Sequence, residues 1–150
     1  MLIRTHLVIT SFFVLLFLPY VEGKLAFAVV ALIAAFLPDV DSRFATIGRR
    51  KIARILQVFT KHRGVIHSFT FLMTLTFLLI IFYPRISLGF FLGYSLHLLA
   101  DSFTPDGIKP FYPSKKKSTG IVPTGGKREM IVLVFFIIAN LVLLGLRIFD

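Results

Sequence analysis

A chain of 150 residues that is 57% hydrophobic, carries 18 Phe and is only 16% charged exposes more apolar surface than one domain of this size can bury, which excludes a soluble globule and makes lipid its main solvent. The net charge of +10 raises nucleic acid as a partner, but the basic residues follow a membrane-topology pattern instead, so no nucleic acid is expected. Cysteine is absent, which excludes disulfides and thiolate metal ligands.

The apolar residues come in blocks. Leu7–Leu18 predicts a first span over residues 4–20. Arg4, Ile9–Leu18 and Val21-Glu22-Gly23 also have the order of a signal peptide with a poor cleavage site; read as an uncleaved anchor, the segment retains His6. Leu25–Leu37 predicts a short second span over 24–38, less than the roughly 20 residues needed to cross the hydrocarbon. It ends in Pro38-Asp39-Val40-Asp41, which places two carboxylates in a post-proline turn at the interface, where unpaired charge is costly and a cation is welcome. Over residues 43–61, Ile52, Ile55, Leu56 and Phe59 recur at helical spacing while Arg49, Arg50, Lys51 and Arg54 lie mostly off that stripe. That pattern describes an amphipathic helix lying in the headgroup region.

Phe69–Phe82 and Ile86–Ala100 predict spans over 67–83 and 86–101, and Ile131–Leu146 a last one over 130–148. Between them, Pro105, Gly107, Pro110, Pro113, Gly120, Pro123, Gly125 and Gly126 make 102–128 a loop. Its Lys115-Lys116-Lys117 run is a topology signal or a clamp for a lipid headgroup. The expected fold is therefore all-α: a polytopic membrane helix bundle of about four to five transmembrane helices and one interfacial amphipathic helix, forming a single membrane-embedded domain over 1–150. With the N-terminus inside, all of the 17 Lys and Arg except Lys24, Arg85 and Arg147 fall on the cytoplasmic side. This asymmetry predicts a multi-pass protein of the cell (inner or plasma) membrane with a cytoplasmic N-terminus.

In this topology His6, Asp39, Asp41, His62, His67, His97 and Asp101 all fall near the cytoplasmic ends of four separate spans. His97 and Asp101 are i and i+4, so they share a helix face. Ionisable residues in membrane segments are rare and usually functional, and His with carboxylate on neighbouring helices is how bundles hold metals. Four imidazoles and three carboxylates suit a divalent metal, zinc above all, as one or two ions. Such an ion would bring the pKa of a bound water to about 7, with Asp41 or Asp106 as general base. Arg43 and Arg63 could hold an anionic group such as a phosphate, and their other reading is topology charge. Two further function classes remain open: a non-catalytic protein whose polar cluster orders the bundle or binds lipid headgroups, and a transporter of metal ions or protons. Transport needs a polar path to the far face, and beyond the cluster spans two to four offer only Ser, Thr and Tyr.

Leu37-Pro38-Asp39-Val40-Asp41, His62-Arg63-Gly64-Val65-Ile66-His67-Ser68 and Gly93-Tyr94-Ser95-Leu96-His97-Leu98-Leu99-Ala100-Asp101-Ser102, followed by Pro105-Asp106-Gly107 and Tyr112-Pro113, resemble in order the motif blocks of the small bacterial and archaeal membrane-bound metal-dependent hydrolases. More distantly, the series His, Asp, His, His-x-x-x-Asp is similar to the ligand order of zinc-dependent phospholipase C and P1-type nucleases. That resemblance implies phosphoester hydrolysis with His6, Asp39, His62 or His67, His97 and Asp101 as ligands. The chain lacks the further His-rich helix and the N-terminal Trp of those enzymes, so their three-metal cluster is not implied. A site opening at headgroup level implies a membrane lipid or lipid-linked phosphoester as substrate.

Overall fold

A computed structural model describes residues 1–47 and 65–149 of the chain. Among these residues the regular structure is helical throughout: α1 (Ile3–Phe17), α2 (Lys24–Ile47), α3 (Phe69–Phe82), α4 (Pro84–Ser102) and α5 (Lys127–Phe149). A 3-10 turn over Leu18–Tyr20, with Pro19 in it, stops α1. Gly23, at φ +66°, then lets the chain reverse into α2. Ser68 caps α3, its hydroxyl accepting from the Phe71 amide. Tyr83 alone separates α3 from α4, whose first position is Pro84, where a missing N–H costs nothing.

α2 departs from expectation. Pro38 does not end it; the helix passes through the proline and continues to Ile47, so the post-proline turn expected for Asp39 and Asp41 is not formed. The proline ring removes the bond to the carbonyl four residues back and crowds that carbonyl, a cost that the packing around the buried Pro38 offsets. The expected interfacial helix over 43–61 lies outside the described residues beyond Ile47.

α4 is the central element. It runs parallel to α2 in constant register, Gly89 facing Phe27, Gly93 facing Ala31 and His97 facing Ala35. A Cβ on Gly89 would sit 2.7 Å from the Phe27 carbonyl, and one on Gly93 would overlap the Ala31 carbonyl. Small residues thus let the two backbones touch, the usual basis of close helix pairs in lipid. α3 packs antiparallel on the other side of α4, with Leu72, Phe90, Tyr94 and Leu98 in one core. α1 lies antiparallel to α4 through Ile9, Leu96 and Ala100, and α5 runs along α1, joined by the Asn140 amide donating to the Val8 carbonyl at 3.0 Å. The segment after α4 folds back on itself: Ile108 and Ser118 form a two-bond antiparallel bridge, and the Phe69 amide donates to the Pro110 carbonyl at 2.8 Å. Gly107, at φ +57° against the Ser118 carbonyl, makes that turn possible.

Two of the described helical segments, Ile3–Tyr20 and Lys127–Arg147, are long and apolar enough to cross a membrane, and Phe69–Phe82 is apolar but shorter. At 14 residues α3 reaches about 21 Å, short of a hydrocarbon layer of about 30 Å. α5 is the extreme case, with Ile131, Val134, Phe135, Ile138, Leu141 and Val142 all exposed, a surface that only lipid or another apolar partner accommodates.

The Gly93 contact gives a direct test. Gly93→Leu should force α2 and α4 apart and lower stability by about 1–3 kcal/mol, read from thermal or denaturant unfolding in detergent. Gly145→Leu, at a position with nothing within 4 Å of the added carbon, should stay within about 0.5 kcal/mol of wild type.

Candidate metal centre

Gly89, Gly93, His97 and Asp101 recur every fourth residue, so the face of α4 that lies against α2 changes from glycine to imidazole to carboxylate as it nears one end of the bundle. His97 is 0% exposed. Its Nδ1 lies 2.8 Å from the Ala35 carbonyl of α2. A carbonyl only accepts, so the proton sits on Nδ1 and Nε2 presents its lone pair to the space beyond; this is the backbone arrangement that orients a ligating histidine. The α2 register that brings Ala35 to His97 also brings Asp39, one helical turn further, to the same spot.

The remaining groups come from two other segments. His6 of α1 stacks on His97, ring centroids 4.0 Å apart and planes 14° from parallel, with its Nε2 3.3 Å from Asp101 Oδ1. His67 stands immediately before α3, edge-on to His97 at 5.7 Å. Its backbone is pinned on both sides: Tyr94 Oη donates to the Ile66 carbonyl at 2.8 Å, and the Ser68 hydroxyl donates to Val65 while capping α3. The amino group of Met1 lies 2.5 Å from Asp101 Oδ1.

One donor atom from each of Asp39, His67, His97 and Asp101 falls within 4.8 Å of every other. Asp39 Oδ1 is 3.9 Å from His67 Nε2 and 3.8 Å from His97 Nε2, and Asp101 Oδ2 is 3.7 Å from His97 Nε2. Donors on a tetrahedral zinc, with bonds near 2.0–2.2 Å, stand roughly 3.3–3.6 Å apart, so a small contraction would close the group around one ion. Two nitrogens and two oxygens are a fitting set for it. The unsatisfied atoms point the same way: among the described residues, His97 Nε2 and both ring nitrogens of His6 are buried without a hydrogen bond, His6 Nε2 meeting Asp101 only as a close charge contact, a costly state for a polar network that a bound cation would relieve. Asp39, its side chain 25% exposed, is the most open of the four donors, and the others are sealed.

Of the residues singled out from the sequence, the fold therefore assembles His6, Asp39, His67, His97 and Asp101. His62 and Arg63 lie outside the described residues, as do the side chains of Asp41 and Arg43. Asp106 is exposed in the turn after α4 and does not join the group of four. Three supporting groups were not anticipated: the Ala35 carbonyl, Tyr94 and Ser68. Only Ser68 had a local signal, a serine directly before an apolar helical run; a backbone carbonyl on another helix has none.

The family model of the YdjM inner membrane protein matches residues 1–149. Among curated proteins, the uncharacterized protein YvsG of Bacillus subtilis (strain 168) is 28% identical over 114 residues, covering 72% of this chain and 71% of its own length. The inner membrane protein YdjM of Escherichia coli (strain K12) is 32% identical over 97 residues, covering 57% of this chain; the chain spans about half (48%) of that relative's length. No solved structure matches the chain.

Removing the Tyr94 hydroxyl tests the pinning of His67. Tyr94→Phe leaves the Ile66 carbonyl without its donor and should cost about 1–2 kcal/mol in unfolding experiments. Zinc affinity, measured by competition with a chromophoric chelator, should fall roughly 10-fold.

Proposed function

We propose that this chain, which belongs to the YdjM inner membrane protein family, is a metal-dependent hydrolase acting on a phosphoester of a lipid or lipid-linked substrate. Its site lies at the cytoplasmic face of the inner membrane in a multi-pass topology. The reading is carried by one observation: a carboxylate of α2, an imidazole preceding α3 and a His–Asp pair of α4 place four donor atoms within 4.8 Å of one another, while among the described residues the buried His97 Nε2 has no hydrogen bond that a purely structural network would supply.

Asp39, His67, His97 and Asp101 would hold the divalent ion, which when bound supplies Lewis-acid polarisation of a phosphoryl oxygen and acidifies water. The chain's own groups do the rest. The Ala35 carbonyl keeps His97 Nε2 free of a proton. His6, its Nε2 3.3 Å from Asp101 Oδ1, flanks that carboxylate and would be the further ligand of a second ion, so the set would serve one or two. The sealed sides of His67, His97 and Asp101 keep bulk water out, and the more open Asp39 marks the approach for substrate. Asp41 or Asp106 is the base that takes the proton from the attacking water, and Arg43 and Arg63 hold the phosphate.

A lipid substrate is favoured by the surroundings. The flanks of the bundle are apolar, and the cluster end carries the basic residues of 103–128, Lys109, Lys115, Lys116, Lys117, Lys127 and Arg128. A molecule with an acyl tail and an anionic head reaches such a site without leaving the bilayer, and the lysines attract its charge.

Purified protein should contain one or two zinc ions per chain, and His97→Ala and Asp101→Ala should each lose metal and more than about 100-fold in affinity. Reconstituted wild type should release phosphate or headgroup from phospholipid vesicles, stop when a chelator is added and recover with zinc. Equal metal content in all three proteins would remove the site; metal without hydrolysis of any phosphoester lipid would remove the enzyme.

A further inference from the structure

The polar group most deeply committed outside the cluster is Glu129. It is the only acid in the apolar segment Lys127–Arg147, and it is 2% exposed. Taking a carboxylate out of water is expensive unless every lone pair is used. Glu129 uses them on two helices at once. Its Oε1 accepts from the Leu2 amide at 2.6 Å and from the Thr5 hydroxyl at 2.7 Å, and its Oε2 accepts from the Gly125 amide at 2.6 Å.

These donors are chosen by position. α1 begins with Leu2 as its cap residue and no side-chain cap of its own, so its first amides need an outside acceptor. Gly125 precedes α5. One carboxylate therefore caps two helix N-termini, where both dipoles favour negative charge. α5 supplies no donor to the metal cluster. It packs chiefly along α1, and Glu129 is where the two are bolted together.

What this holds in place is His6. Leu2 is one helical turn before His6 and Thr5 is adjacent to it, so bonds at both positions set how far α1 slides and how it is rotated. A shift by one residue turns a helix by about 100° and would swing His6 out of its stack on His97. We infer that Glu129 is a positioning residue: by clamping the first turn of α1 to α5 it keeps His6 stacked 4.0 Å over His97 with Nε2 3.3 Å from Asp101, and so holds the wall of the proposed metal site on the α1 side in place. This rests on the metal-centre reading above. A cavity of about 200 Å³ lined by Arg4, Thr5, Lys127 and Glu129 adjoins the carboxylate, so water can reach the freed amides when Glu129 is shortened and the chain should still fold.

The test is Co2+ titration of the full chain in detergent, followed by the visible d–d bands, with circular dichroism and thermal unfolding as checks of folding. Glu129→Ala should bind Co2+ about 10- to 100-fold more weakly and with altered band positions, and Glu129→Gln, which keeps an oxygen for Leu2 and Thr5, should recover most of the loss. If Glu129 acts through His6, Glu129→Ala in a His6→Ala background should change affinity no further; a full additional loss would mean general destabilisation and overturn the inference. Wild-type affinity and spectrum in Glu129→Ala would also overturn it while leaving the metal centre standing, whereas a wild type that takes up no Co2+ would overturn both. Should Glu129→Ala fail to fold, Thr5→Val removes one of the three bonds and decides the matter: a smaller loss with the same spectral change supports the clamp, and an unchanged spectrum and affinity sink it.

Discussion

Where α4 runs beside α2, Gly89 and Gly93 leave no side chain between the backbones, and one turn further on His97 donates to the carbonyl of Ala35. Everything at the cluster end follows from that close approach. The distance between the two helices is set by glycine, the tautomer of His97 by a carbonyl only this distance allows, and the location of Asp39 by its place one turn beyond Ala35. Held apart by ordinary side chains, the helices would leave His97 without its orienting bond and Asp39 out of reach.

The cost of such a cluster is high in an apolar molecule. His6, His67, His97 and Asp101 are buried at the end of a bundle whose other surfaces carry Phe, Leu, Ile and Val, and a buried ring nitrogen without a partner forfeits the hydrogen bond it had with water. Folded proteins avoid that loss unless the atom has another use. Two imidazoles stacked 4.0 Å apart, with the Asp101 carboxylate at their Nε2 edges and the half-buried Asp39 carboxylate beside His97, form an arrangement in which a cation would offset the desolvation of several groups together. That gives a physical reason for the donors to sit here rather than on the exposed loops. The rigid supports around them, Tyr94 on the Ile66 carbonyl and Ser68 at the start of α3, keep His67 from relaxing toward solvent.

Membership of an inner membrane protein family agrees with the apolar exterior of α5. In lipid, backbone groups must bond internally, and among the described residues the irregular backbone is confined to the helix ends, the turns and the short bridged segment after α4. Two polar residues of α5, Glu129 and Asn140, both bond to α1. Such bonds between helices replace the hydrophobic drive that is absent where the solvent is itself apolar.

Several features were legible in the residues alone because they depend on local periodicity. Apolar blocks announce helices and lipid, and a spacing of four puts Gly93, His97 and Asp101 on one face whatever surrounds them. A serine before an apolar run marks the start of α3. Pro38 misled, since a proline's local preference to end a helix, which comes from a lost bond and a crowded carbonyl, yields when packing around a buried ring offsets both. What the tertiary structure decided is every relation between helices: that His6 lies on His97, that Asp39 meets His67, that Ala35 orients an imidazole 62 residues away and that Glu129 caps a helix 127 residues before it. Helical geometry sets angles around one axis. The register of one helix on another depends on which side chains are small enough to let backbones meet, and that is settled only when the helices pack.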